Sequence, residues 1–278
     1  MNHEKLKIAF VGGGNMAQAI IRGLVNAGHP PEYIGVADPS QEQRDANTAI
    51  NAAIQVTGDN AELAATSDLL VLAVKPQIMA KVAEQLGTLP RPADQVVISV
   101  AAGITLESLC SWFGQDTAAV RVMPNQPALI GEGMSGLCAT AAVDERGKAA
   151  ANYLMAATGQ VAWFNQEHLM DAVTAISGSG PAYFYLVMEI MQEVAGEFGF
   201  DADTARLLAT QTALGAATVA TQSPDELATL RERVTSPGGT TAAALSSLET
   251  SGIRDIFRTA LTAARDRSIE LGQINKDD

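Results

Sequence analysis

The chain offers little sulfur chemistry. Cys110 and Cys138 are its only cysteines, far apart and without metal-ligand company. That excludes a disulfide framework and leaves free buried thiols in a reducing cytoplasm as the expectation. Histidine is as scarce: His3, His29 and His168 lie scattered through 278 residues, so no metal site is expected. Positive charge is short too. The 18 Lys and Arg against 31 Asp and Glu leave a net charge of −13, which argues against nucleic acid and anionic membrane as partners. An anionic ligand must then be held locally, by backbone N–H groups and a few placed side chains. Long apolar runs are missing as well. Of the two charge-free windows, 172–188 is broken by Gly178, Gly180 and Pro181, and 207–224 is mostly Ala, Thr and Gln; neither reads as a membrane span. The polar segment Met1–Lys7 leads directly into a strand, so no signal peptide is expected.

What is there centres on Ser236-Pro237-Gly238-Gly239-Thr240-Thr241, running into Ala242-Ala243-Ala244-Leu245. Two glycines allow backbone angles closed to other residues, Pro237 pins the approach, and the Ala/Leu run favours a helix. A glycine turn at a helix start presents unpaired N–H groups and the positive end of the helix dipole. With the hydroxyls of Ser236, Thr240 and Thr241, the stretch reads as a pocket for a small carboxylate, one hydroxyl being left for chemistry. An ordinary capped helix start has the same local pattern.

The N-terminal half reads as a dinucleotide fold. The strand at Lys7–Val11 runs into Gly12-Gly13-Gly14-Asn15-Met16-Ala17 and a helical pattern ending at Gly28; a second strand, Tyr33–Ala37, stops at Asp38. This matches G-x-G-x-x-A, with an acidic residue after the second strand where a ribose hydroxyl is bound. Asn15 reads as a helix cap or a phosphate contact. Further strands are expected at Asp68–Val74, Gln95–Val100, Ala118–Val122, Ser135–Ala139 and Val161–Phe164, with Pro76 opening one helix and another over Asp144–Ala157. The expectation is an α/β, Rossmann-type doubly wound parallel sheet over residues 1–164, with ligand-binding loops at the carboxyl ends of the strands.

From Asn165 strand signals vanish, and residues 165–278 read as an all-helical dimerisation and substrate domain. Helices are expected at 166–176, 180–198, 202–222, 225–234 and 240–272, the last broken at Ser251-Gly252, with Ser179 as a cap before Pro181. The second is apolar almost all round, from Tyr183 to Val194, and calls for burial against a second subunit.

A nicotinamide domain joined to helices implies a reductase or dehydrogenase. Reducing a C=O requires a proton donor, normally Lys or His. No lysine occurs between Lys148 and Lys276, and His168 is the only histidine of that half. A protonated C=N needs only orientation and a weak hydrogen-bond partner, so an imine is the better substrate.

The motifs GGGNMA (12–17), AVKPQ (73–77), VAAGIT (100–105), MPNQPA (123–128), DAVTAISGSGPAYF (171–184), QTALGAA (211–217) and VTSPGGTTAAAL (234–245) occur in an order that resembles the pyrroline-5-carboxylate reductase family along essentially the whole chain. The resemblance implies NAD(P)H-dependent reduction of Δ1-pyrroline-5-carboxylate to L-proline in the cytoplasm, by homodimers joined through the helical domain and assembled into rings of dimers. It places Val11, Gly12, Gly13, Gly14, Asn15 and Met16 on the pyrophosphate and Asn60 on the adenosine side. Ala73, Val74, Lys75, Pro76, Val100, Ala101 and Ala102 fall on the nicotinamide side. Glu167, Ser236, Thr240 and Thr241 face the substrate, Ser236 helping with the carboxylate and Thr241 bonding the ring nitrogen. By position alone, Glu167 is also an acid suited to a helix dipole. Two departures stand out. Gln126 replaces the family's usual threonine, and Asp38 stands where some relatives carry serine. An inward-facing Asp38 repels a 2′-phosphate, which Ser40 counters as a donor; the resemblance implies NADPH and leaves NADH use open. A 3-hydroxyacid dehydrogenase-like enzyme, another imine reductase and a non-catalytic cofactor-sensing module are the alternatives.

Overall fold

The computed structural model describes residues 5–277, and side chains to 274. Met1–Glu4, with His3 and most of the polar leader, lie outside the described residues, as does the side chain of Lys276. The elements of the first part are β1 (Ile8–Val11), α1 (Asn15–Asn26), β2 (Ile34–Ala37), α2 (Gln41–Thr48), β3 (Gln55–Thr57), α3 (Asn60–Ala64), β4 (Leu69–Leu72), α4 (Pro76–Gly87), β5 (Val96–Ser99), α5 (Leu106–Phe113), β6 (Ala119–Met123), β7 (Gly133–Ala139), α6 (Glu145–Ala156), β8 (Gly159–Trp163) and α7 (Leu169–Val173). After a π-turn at Thr174–Gly178 come α8 (Gly180–Glu197), α9 (Ala202–Gln222), α10 (Leu227–Arg233), α11 (Thr240–Thr250) and α12 (Ile253–Asp277).

One sheet runs in the order β3-β2-β1-β4-β5-β6-β7-β8. Its inner strands β1, β2, β4 and β5 are buried along their whole length because helices cover both faces. Ile8 and Phe10 of β1 pack in one core with Ile20, Ile21 and Leu24 of α1 and Leu154 of α6. Ala9 and Val11 point the other way, to Met79 and Leu86 of α4 and Leu109 of α5. The expected sheet needs one correction: β6 and β7 pair antiparallel, Arg121 opposite Cys138, while the other pairings are parallel. The link between them holds only the short 3₁₀ turn Gln126–Ile130, too little chain for a crossover helix, so the strand reverses as a hairpin. The edge strand β3 had no apolar signature, being QVT and largely exposed.

Contacts divide the described chain into two compact units, 1–179 with 264–278, and 180–263, instead of at the expected 164/165. Residues 165–179 belong with the sheet for a physical reason: Met170 is fully buried in its second core, and Asp171 binds Arg121 of β6. Ser179 does not cap α8. It keeps helical angles, and its N–H donates to Thr174 O at 2.8 Å, closing the π-turn that leads directly into α8. The second unit has almost no core: among the described residues its buried apolar side chains are Ala205 and Ala209.

Cys138 is buried, Cys110 half-buried, and both are free; burial pushes both thiols up. Among the described residues no helix is long and apolar enough to cross a membrane.

His29 is buried, its Nδ1 3.1 Å from Tyr153 Oη, and desolvation lowers it below the ordinary 6.5. The unfolded chain therefore binds this proton more tightly than the folded one. Stability from neutral His29 is complete above pH 6.5 and is lost as pH falls through 6.5 toward the lowered folded value. Urea midpoints should fall across that window, and His29→Gln should flatten the fall. An identical pH profile in the variant would show that His29 contributes none of it.

Candidate active site

The turn after β1 is built by three different demands on three glycines. Gly12 has φ +96°, and a Cβ there would lie 2.8 Å from both C and O of Ala73. A Cβ on Gly13 would lie 2.6 Å from Asn47 Nδ2. Gly14 is different: its Cβ would meet nothing within 4 Å, so the turn opens to free space on this side. Gly14 is the N-cap of α1 and makes no side-chain cap bond, and the first turn holds no acidic residue. Asn15, exposed, is the first helical residue and not the cap; Met16 behind it is half-buried. Unpaired N–H groups and an unopposed helix dipole facing open space fit a pyrophosphate.

The remaining strand-end residues gather beside it because β2, β1, β4 and β5 are neighbours. Ala73 N donates to Val11 O at 2.8 Å and Val100 N to Leu72 O at 3.2 Å. Lys75, exposed, is the N-cap residue of α4, with Pro76 at its first position. Ala101 N donates to Ser99 Oγ at 3.3 Å, and Ala102 follows, half-buried. Asn60, half-buried, opens α3 under an Asp59 cap. The sheet order reverses around β1, and its flanking loops form the crevice where such folds take a dinucleotide.

Asp38 closes the far side of this crevice. Its Oδ2 accepts from Gly13 N and its Oδ1 from Ser40 N, both at 2.8 Å. Ser40 caps α2 by accepting from Gln43 N at 3.4 Å, leaving its hydroxyl proton available.

Glu167 is anchored through one carboxylate oxygen. Its Oε1 accepts from Leu106 N at 2.7 Å, the first residue of α5, and from Arg121 Nη1 at 3.1 Å. Arg121, 4 % exposed, also reaches Asp171 Oδ1 at 3.2 Å, which accepts from Ser268 Oγ at 2.9 Å. A buried guanidinium flanked by carboxylates is held by charge-assisted bonds. Sequence reading missed Arg121 because it stands in an apolar strand, and a lone arginine there has no local pattern. It missed Asn47 likewise: buried on α2, its Nδ2 donates to Gly13 O at 2.9 Å and to Gln43 O at 2.8 Å.

The second unit brings Ser236, Thr240 and Thr241 together in one turn. Gly238 has φ +72°, and Gly239 N donates to Ser236 O at 3.0 Å. Gly239 is the N-cap of α11, again without a side-chain cap bond, and no acid stands in the first turn. Thr241 is half-buried, Ser236 and Thr240 exposed. This end can receive a carboxylate for the same reason as the first.

Residues 7–103 match the family described as NADP oxidoreductase coenzyme F420-dependent, and residues 167–271 that described as pyrroline-5-carboxylate reductase dimerisation. A pyrroline-5-carboxylate reductase of Pseudomonas aeruginosa is 46% identical over 96% of this chain and 97% of its own. The chain belongs to the pyrroline-5-carboxylate reductase family. Among solved structures, the Coxiella burnetii pyrroline-5-carboxylate reductase is 40% identical, with TM-score 0.92 over 96% of this chain and 98% of that one. The Plasmodium falciparum pyrroline carboxylate reductase with NADP bound is 31% identical, with TM-score 0.85 over 97% and 99%. The two matched regions of this reductase-family chain carry the glycine crevice and the Ser236–Thr241 turn respectively.

The crevice itself makes a prediction. Gly12→Ala should lower the unfolding free energy by about 2 kcal/mol and weaken dinucleotide binding, since a positive φ and a backbone clash cannot relax together. Gly14→Ala, with φ −72° and open space, should lower the urea midpoint far less, by the cost of a poorer N-cap alone. Equal midpoints for Gly12→Ala and wild type would contradict the packing described.

Proposed function

We propose that this chain reduces Δ1-pyrroline-5-carboxylate to L-proline, the last step of proline biosynthesis, using NADPH in preference to NADH. The observation that carries the reading is 46% identity over nearly the full length of both chains, with the SPGGTT turn intact at an uncapped helix start. A bound reduced nicotinamide supplies the hydride. The chain's own residues bind and orient. The turn from Val11 to Met16 holds the pyrophosphate, Asp38 and Ser40 the ribose, and Asn60 the adenosine side. Ala73–Pro76 and Val100–Ala102 hold the nicotinamide end. Ser236, Thr240 and the first N–H groups of α11 hold the substrate carboxylate, and the Thr241 hydroxyl holds the ring nitrogen. Glu167, tied to Arg121 and Leu106 N, positions the loop that precedes α5. The imine arrives already protonated, which suits a C-terminal half without lysine before Lys276. The helical C-terminal part serves dimerisation and substrate binding, and the cytoplasmic protein assembles as homodimers and rings of dimers.

The test is oxidation of NADPH with pyrroline-5-carboxylate, with proline detected as product and NADH run alongside. A cyclic imine lacking the carboxylate should lose most of kcat/KM. Comparable rates for both imines would sink the carboxylate pocket, and absence of proline would sink the whole reading.

A further inference from the structure

We infer that Arg44 is the residue that admits the 2′-phosphate of NADPH against the opposing charge of Asp38. The inference rests on the nicotinamide reading above and names what decides between the two cofactors.

Asp38 is held at the crevice by both of its carboxylate oxygens. Each of its carboxylate oxygens holds a backbone N–H at 2.8 Å, one from Gly13 and one from Ser40, so its negative charge stays at the ribose edge. That arrangement suits a ribose diol, whose hydroxyls donate to a carboxylate, and repels a phosphate monoester carrying close to two negative charges. A cation placed here would offset that repulsion more strongly than the neutral Ser40 hydroxyl.

The supply is limited: Arg44 is the one Lys or Arg between Arg22 and Lys75. It lies one turn into α2, and its side chain folds back over the 38–40 corner. Nη1 donates to Asp38 O at 2.6 Å and Nη2 to Gln41 Oε1 at 2.6 Å. Nη1 also lies 3.7 Å from where a Cβ would stand on Gly58, in the turn leading to Asn60. The guanidinium therefore sits at the adenosine corner, half-exposed. Both bonds go to neutral oxygens, a main-chain carbonyl and an amide. Of five N–H donors in a planar fork, others remain for an anion, and that fork matches phosphate oxygens two at a time. The Ser40 hydroxyl, still able to donate, lies in the same corner. Lysine, a point charge, reproduces the charge and not the fork.

The experiment measures dissociation constants of NADPH and NADH by fluorescence titration of the full chain, with 2′,5′-ADP and 5′-AMP as fragments. Wild type, Arg44→Ala and Arg44→Lys are compared at low and high salt, with melting temperatures recorded. Arg44→Ala should weaken NADPH and 2′,5′-ADP by 10- to 100-fold and NADH and 5′-AMP by less than threefold. It should also flatten the salt dependence of NADPH binding. Arg44→Lys should fall between. Equal weakening of both cofactors by Arg44→Ala would mean that Arg44 only props the 38–40 turn, and would overturn the inference, as would no change in either. If NADPH and NADH both bind wild type, the nicotinamide reading stands whatever Arg44 does. Binding of neither overturns that reading and this inference with it.

Discussion

Thr241→Ala is expected to lower kcat/KM for pyrroline-5-carboxylate by roughly 10- to 100-fold, about 1.4–2.7 kcal/mol of transition-state stabilisation. The structure places Thr241 as the second residue of α11, half-buried beside a helix end that no side chain caps. A threonine hydroxyl does not release its proton at neutral pH, so it cannot serve as a strong acid. Its part is to orient the ring nitrogen and to relay a proton with water, while the substrate brings the charge that makes the C=N electrophilic. Turnover should therefore fall and not vanish, and Thr241→Ser should retain much of the rate. NADPH affinity should hardly move, since the glycine turn that holds the pyrophosphate belongs to the other compact unit. Full activity in Thr241→Ala would make the hydroxyl structural. An equal loss of cofactor affinity would mean that the turn has been assigned the wrong ligand.

Val187→Glu should have the larger effect, giving monomeric or insoluble protein without activity. In the single chain α8 leaves Phe184 68% exposed, Ile190 49%, Met191 43% and Val187 41%. An apolar face of this kind, on a unit whose own buried apolar side chains among the described residues are two alanines, is stable in water only when covered. A glutamate at its centre costs the folded single chain little, because the position is solvated there. It should cost a dimer joined through α8 several kcal/mol, because the charge would then be buried without a partner. Sedimentation and activity at matched concentrations check this, and an active, fully dimeric Val187→Glu would remove α8 from the interface.

Several elements were legible before any coordinates. The strands at Ile8, Leu69 and Val96 are apolar on both sides and end at glycine, lysine–proline or small residues, so their position and double coverage follow from local composition. The break before Ile253 and the helix at Thr240 followed from glycine, which alone tolerates φ +77° at Gly252 and +72° at Gly238. The nearly all-round apolar character of α8 was readable too, and the single chain leaves Phe184, Ile190 and Met191 of it exposed. Strand direction was another matter. Nothing in Gly133–Ala139 distinguishes a parallel from an antiparallel strand, since side chains alternate in both.

The sequence by itself determined the order of strand, glycine turn and helix, the acid after β2, and the hydroxyl-rich turn at Ser236–Thr241. These depend on spacing and on glycine and proline, which act within a few residues. Only the tertiary structure decided what each polar side chain holds. Asp38 bonds Gly13 across 25 residues, Glu167 bonds Leu106 across 61, and Ser268 bonds Asp171 across 97. Such pairs form because folding brings together groups that must be satisfied once removed from water, and at those separations no local pattern can carry the choice of partner.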